Sequence, residues 1–251
     1  MKKYILTLIL ALASLGLYAQ TNRNKTIINA ALHGWEYEIK AGVNLGGTAP
    51  LPFPEEIRSI DGYNPTLSIT IEGNMTKWLD TKKKWGIITG LRLENKGMRT
   101  KATVKNYNME IIGYDGNRLK GNWTGGVRTK VQNSYITIPV LAAYKLSPRT
   151  TLKLGPYFSY LMDGDFSGHV YEGYLRETNP TGDKINFTNG AIATYDFSGD
   201  LHKFQWGVQA GVDWKAFKHL KVHADLNWGL NDIFNKDFKT VTFDMYAIYL
   251  N

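Results

Sequence analysis

The sequence predicts an all-β fold: an eight-stranded, antiparallel, closed up-and-down transmembrane β-barrel with short periplasmic turns and long extracellular loops. Three observations predict it. Apolar and polar residues alternate with a two-residue period in eight separate stretches. The connections between those stretches alternate long and short, beginning long. The chain opens MKKYILTLILALASLGLYAQ, two lysines and an apolar run followed by small residues up to Ala19, the composition of a secretory signal peptide. A strand sends successive side chains to opposite faces, so each stretch has one oily and one polar face. Outer-membrane barrels show this dilution of oily residues together with short turns at one end and longer loops at the other.

Residues 1–20 are read as the signal peptide, 21–34 as a lead-in, and 35–251 as a single barrel domain. The apolar run between Tyr4 and Leu12 is too short for a stable membrane helix. The chain has no cysteine, so there is no lipid-attachment site and no disulfide. Packing and backbone pairing must hold the mature domain together. The formal charge is +8, and loss of Lys2 and Lys3 with the signal lowers it by two. No RNP-like, zinc-finger or helix-turn-helix pattern accompanies that charge, which argues against nucleic acid. An anionic surface such as lipopolysaccharide suits it better.

The first strand is read at residues 35–46. Trp35, Tyr37, Ile39, Ala41, Val43 and Leu45 share its oily face; Glu36, Glu38 and Lys40 lie opposite. Residues 47–63 carry Pro50, Pro52 and Pro54 and are expected to be a loop, because proline removes ladder donors. The second and third strands form a hairpin within residues 64–97. Leu67, Ile69, Ile71 and Met75 oppose Glu72 in the first arm. The turn LDTKKK follows. Trp85, Ile87, Leu91 and Leu93 then oppose Arg92, Glu94 and Lys96, with Ile88 the lone oily residue on that side. Trp78 has the parity of the polar face. A weak two-residue period carries the third strand past Gly97, and residues 106–126, rich in Asn, Gly and Asp, are expected to loop.

The fourth strand, residues 127–146, has Ile136, Ile138, Val140, Ala142 and Tyr144 on its oily face, and a tight turn at residues 147–149 follows. The fifth, residues 150–162, sets Leu152, Leu154, Pro156, Phe158 and Tyr160 against Lys153, Tyr157 and Ser159. Residues 163–203 are expected to form a third long loop. The sixth strand, residues 204–215, opposes Phe204, Trp206, Val208 and Trp214 to Gln205, Gln209 and Asp213. The seventh, residues 220–231, opposes Val222, Leu226 and Trp228 to Lys221, His223, Asp225 and Asn227. After a loop at 232–239, the eighth strand, residues 240–250, is expected to turn Phe243, Met245, Ala247 and Tyr249 to the oily side. Trp35, Trp85, Tyr144 and Trp214 then gather at the periplasmic rim, and Trp206, Trp228, Phe158 and Tyr160 toward the outer rim, as two lipid interfaces favour.

Four stretches in order carry a resemblance: GLRLENKG at residues 90–97, YITIPVLAAYKL at 135–146, LGPYFSYLM at 154–162 and FQWGVQAGVDW at 204–214. Together they resemble the PorT-like, or porin-family, outer-membrane β-barrels of Bacteroidota, from Trp35 to the end of the chain. The resemblance implies the barrel and the outer membrane, and no particular activity. The final AIYLN departs from the terminal aromatic of such barrels.

The polar faces gather Glu36, Glu38, Lys40, Glu72, Arg92, Glu94, Lys96, Lys153, Asp213, His223 and Asp225, with Lys221 beside them. Eight strands enclose room for side chains or one small ligand. Buried charges need partners. The expectation is a structural, salt-bridged plug in a non-enzymatic barrel with no catalytic residue, no metal and no cofactor. A narrow low-conductance porin and a small-solute or lipid-binding barrel are the alternatives. A lipid-modifying enzyme built on Ser159, His223 and Asp225 is a further one, but it needs a nucleophile, base and orienting group in contact. Expected partners are outer-membrane lipid and lipopolysaccharide, with a protein or glycan partner at the extracellular loops, and the chain is expected to be a monomer. Tyr107, Tyr114, Trp123, Tyr171, Tyr174, Phe187, Tyr195 and Phe197 would serve that recognition or else pack together to stiffen the loops. A soluble lipocalin-like barrel is the architectural rival, with its oily face inward.

Overall fold

A computed structural model of the chain describes residues 33–113, 116–235 and 244–251. The expected signal peptide, most of the lead-in, Tyr114 and Phe243 lie outside the described residues. The strands are β1 (Trp35–Pro50), β2 (Ile57–Asn64), β3 (Ser68–Trp78), β4 (Trp85–Ile112), β5 (Arg118–Lys145), β6 (Thr150–Glu177), β7 (Lys184–Asp196), β8 (Phe204–Phe217), β9 (Leu220–Gly229) and β10 (Met245–Leu250). Every pairing is antiparallel. Eight of the strands close a ring in the order β4-β3-β1-β10-β9-β8-β6-β5, and the β5–β4 ladder completes it. At one end the ring turns through short connections at residues 79–84, 146–149 and 218–219. Local chemistry shapes the first two. Asp80 accepts from the backbone N–H groups of Lys84 (2.7 Å) and Trp85 (2.9 Å), and the Ser147 hydroxyl oxygen accepts from Thr150 N–H (3.0 Å).

The other end differs from the sequence expectation. Residues 47–63, 106–126 and 163–203 were expected to be loops, and they are largely strand. β1 runs to Pro50 and β2 adds a further strand, whose partner is β4. β4, β5 and β6 each continue to 28 residues, and β7 lies along β6 and touches β4 at Ile112↔Thr194. These strands rise above the ring as a second storey. Register shifts hid their period: one falls between Val104 and Tyr107, another between Gly125 and Gly126, another between Tyr171 and Gly173. Glycine has a packing reason here. A Cβ at Gly173 would stand 2.7 Å from the Trp123 ring, which lies across that strand.

The two storeys have opposite polarity. In the ring, Ile39, Ile71, Leu91, Val140, Leu154 and Val208 face outward and are exposed. The inward residues are Lys40, Glu72, Arg92, Lys153 and Gln209, all buried. In the upper storey, Met98, Val104, Trp123, Val131, Phe166, Val170, Phe187 and Tyr195 form a buried apolar core. Arg99, Lys101 and Lys105 of β4 and Arg128 of β5 are exposed on its outside. Burying apolar area stabilises a structure by about 25 cal/mol per Å², so the upper core is a conventional water-side core and the ring is its inverse. On β4 the change falls between Lys96 and Met98 inside, and between Leu93 and Arg99 outside. The eighth predicted strand is corrected by the same change. Met245, Ala247 and Tyr249 of β10 are buried inside, because β10 stands where the interior turns apolar, and Leu250 is exposed outside.

Candidate functional site

The ring interior is the densest collection of chemistry in the molecule. Four cations, Lys40, Arg92, Lys96 and Lys153, face four carboxylates, Glu72, Glu94, Asp213 and Asp225, and all eight are at most 6% exposed. Strand alternation puts them there. Lys40 is cross-strand from Glu72, which is cross-strand from Arg92, so three adjacent strands supply one triad. Arg92 pairs with Glu72, lies 3.9 Å from Glu94, and donates to Gln209 Oε1 (2.8 Å) and Asn227 Oδ1 (3.3 Å) across the ring. Lys153 bridges Asp213 (2.6 Å) and Asp225 (2.7 Å), and Lys40 reaches Asp213 at 3.4 Å. Glu94 accepts from Lys96 (3.1 Å) and Thr137 (2.7 Å). Buried ions are tolerated only when paired and hydrogen-bonded, and this balance of charge meets that condition.

Layers above and below close the network. At the upper end, Lys96 lies within 5.1, 5.3 and 5.5 Å of the rings of Tyr135, Tyr157 and Tyr249. Ring faces attract cations within about 6 Å, so one lysine serves both the carboxylate below and the aromatic layer. At the short-turn end, Trp78 faces inward as its parity predicts and packs with Ile88, Leu141 and Ala143. Its indole N–H donates to Glu36 (3.1 Å), and Lys145 sits 4.4 Å from its ring. Lys221 bridges Glu36 (2.9 Å) and Glu38 (3.0 Å) at this mouth, where all three are only partly buried. His223 is also partly buried.

The structure does not assemble Ser159, His223 and Asp225 into a catalytic group. Ser159 shares a hydrogen bond with Thr137 (2.7 Å) and Asp225 is held by Lys153. Among the described residues, no hydrogen bond joins His223 to either. The predicted rim aromatics all face away from the interior or partly so. The rings of Trp85 and Tyr144 meet at a tilt, centroids 4.5 Å apart, at the short-turn end, near Trp214. Trp35 stands at the same end of β1, with Lys77 5.0 Å from its ring. Phe158 is paired with Trp206 toward the other end, where Tyr160 and Trp228 also lie.

Sequence reasoning missed the upper core. Of the aromatics offered as loop recognition groups, Trp123, Phe187, Tyr195 and Phe197 are buried and Tyr107 packs against them. Tyr171 takes Lys101 and Arg128 onto its ring at 5.5 and 5.2 Å, and Tyr174 takes Lys184 at 4.1 Å. The signal was present: same-face apolar residues recur four apart, as in Val127 and Val131 with Arg128 and Lys130 between them, or Phe166 and Val170. A family model described as outer membrane protein beta-barrel domain matches residues 18–235. No curated protein and no solved structure matches the chain.

Proposed function

The chain belongs to the outer membrane protein beta-barrel domain family, and from that premise we propose that it spans the outer membrane as a plugged, non-conducting, non-enzymatic barrel that presents its upper storey outside the cell. The narrower placement among PorT-like barrels of Bacteroidota is part of this proposal and rests on the four ordered strand sequences. So does export by a cleaved signal at residues 1–20. The observation that carries the reading is the reversal of faces along β4, β5 and β6. An oily exterior with a charged interior suits lipid, and an oily interior with a charged exterior suits water. The turns at 79–84, 146–149 and 218–219 are then periplasmic. Trp35, Trp85, Tyr144 and Trp214 lie at the inner interface, with Phe158, Tyr160, Trp206 and Trp228 toward the outer one.

The plug follows from the paired ions. Eight strands leave space for side chains rather than a channel, and the Trp78 layer and the tyrosine layer add apolar barriers at both ends of the charges. The upper storey is the part available to a protein, glycan or lipopolysaccharide partner. A monomer suffices for all of this.

The absence of cysteine gives a clean test of orientation. Lys120→Cys, near the tip of β5, is expected to react in intact cells with a membrane-impermeant maleimide. Lys83→Cys, in the short turn, is expected to react only after the outer membrane is opened. Labelling of Lys83→Cys alone in intact cells would invert the proposed orientation. Reconstituted protein is expected to add no steps to planar-bilayer current, and steady unitary steps would replace the plug by a pore.

A further inference from the structure

Above the charged interior, β1 and β2 part. β1 pairs with β3 from Trp35↔Lys77 to Asn44↔Ser68. Beyond that point residues 45–50 keep only β10 as partner, while β2 follows β4. Among the described residues no ladder joins the top of β1 to β2. The Tyr63 hydroxyl, donating to the Gly46 carbonyl at 2.6 Å, ties them at the base. Between the parted strands opens a cavity of about 360 Å³, a size within the usual range for small-ligand sites.

Its shape and chemistry restrict what can enter. Met98, Thr100, Ala102, Val104, Tyr107 and Met109 line one wall. They are successive inward residues of one strand, and at about 3.3 Å rise per residue they make a path on the order of 30 Å long. Phe166 and Phe197 line it as well. Among the described residues, no Asp, Glu, Lys, Arg or His lines the cavity. Burial pushes the phenols of Tyr107 and Tyr195 up, so they stay neutral. A charged guest would surrender water without gaining a countercharge from these residues. A long, thin, uncharged slot suits a single unbranched alkyl chain.

Two features indicate where that chain comes from. At the mouth, Phe53, Ile60 and Tyr63 are at least half exposed, and below them Leu67 is 81% exposed. Leu45 and Ile69 continue this track into the oily outer face of the ring. Beside the mouth, Arg99 and Lys101 stand in register with Asn64 and Gly62 of β2. They line an open cleft with Arg128 and Lys130, and that cleft shares Tyr63 and Thr100 with the slot. Cations at this level suit a lipid phosphate.

We propose that the slot is a binding site for one alkyl chain of an anionic membrane lipid, its phosphate held at Arg99 and Lys101. The proposal rests on the membrane reading above, and the test separates the two. The full chain is reconstituted in vesicles containing phosphatidylglycerol with a diazirine near the end of one acyl chain. After irradiation, adducts are mapped by peptide mass spectrometry. The expected result is labelling of residues 98–109 in addition to the outer face around Leu91 and Val140. Ala102→Trp and the milder Val104→Phe, which fill the slot, are expected to cut the first set at least tenfold and leave the second unchanged. Outer-face labelling with a bare slot would overturn this proposal and leave the membrane reading standing. An unlabelled outer face would overturn the membrane reading itself. Slot labelling by a water-added diazirine fatty acid but not by the lipid would overturn the lipid source. Arg99→Glu with Lys101→Glu is expected to lower slot labelling by phosphatidylglycerol but not by phosphatidylcholine. Equal yields would remove the phosphate contact.

Discussion

Arg92→Met is expected to destabilise the folded protein by about 3–5 kcal/mol, the cost of breaking a buried ion pair from one side. Arg92 is 0% exposed and holds Glu94 of its own strand together with Glu72, Gln209 and Asn227 from three others. Its loss leaves Glu72 without its ion-pair partner in a buried interior, with Lys40 the one cross-strand cation still beside it among the described residues. Glu72→Gln added to Arg92→Met restores neutrality and is expected to recover part of that loss, since removing both members of a buried pair costs less than removing one. Urea unfolding in lipid vesicles measures both. A single variant within about 1 kcal/mol of the parent would mean that water reaches the site and screens it, against the plug.

Val140→Arg tests the outer face. Val140 lies near the middle of the exposed apolar run of β5, between Ile138 and Ala142. A cationic side chain at the bilayer midplane of a barrel costs about 2–4 kcal/mol. Thr103→Arg, outward on β4 in the upper storey, is expected to change stability by less than about 0.5 kcal/mol, the usual range for an exposed surface position. The comparison needs both variants in the same vesicles. Equal effects would mean that both faces meet the same solvent, and the assignment of two solvents would fall.

The ring was legible in the sequence because strict alternation survives wherever one face meets a single environment. Ile69 and Ile71 against Glu72, or Leu91 and Leu93 against Arg92 and Glu94, gave both the strands and the residues that meet inside. The partners within the ring follow from register, which alternation alone does not supply: Lys153 with Asp213 and Asp225 is a contact of three strands. The upper storey was harder to read for two reasons. Its faces are reversed, so Val104 or Phe166 interrupts the pattern set below, and its bulges shift parity within a strand. Glycines that give way to large rings, as at Gly173 beneath Trp123, were read as loop formers. The sequence reading ended the first strand at residue 46 and placed Pro50 in the loop beyond it, yet Pro50 pairs at the last position of the β1–β10 ladder, where a missing donor costs least.

The reversal between Lys96 and Met98 also fixes how deep the molecule sits. A slide by one repeat of two residues moves a strand about 6.6 Å along its axis. Sliding inward drags the outward cations Arg99 and Lys101 toward hydrocarbon, while sliding outward lifts Leu91 and Leu93 into water. Both directions are opposed by side chains on the same strand, so the chain carries its own depth gauge, and a bilayer of different thickness must adapt to the protein.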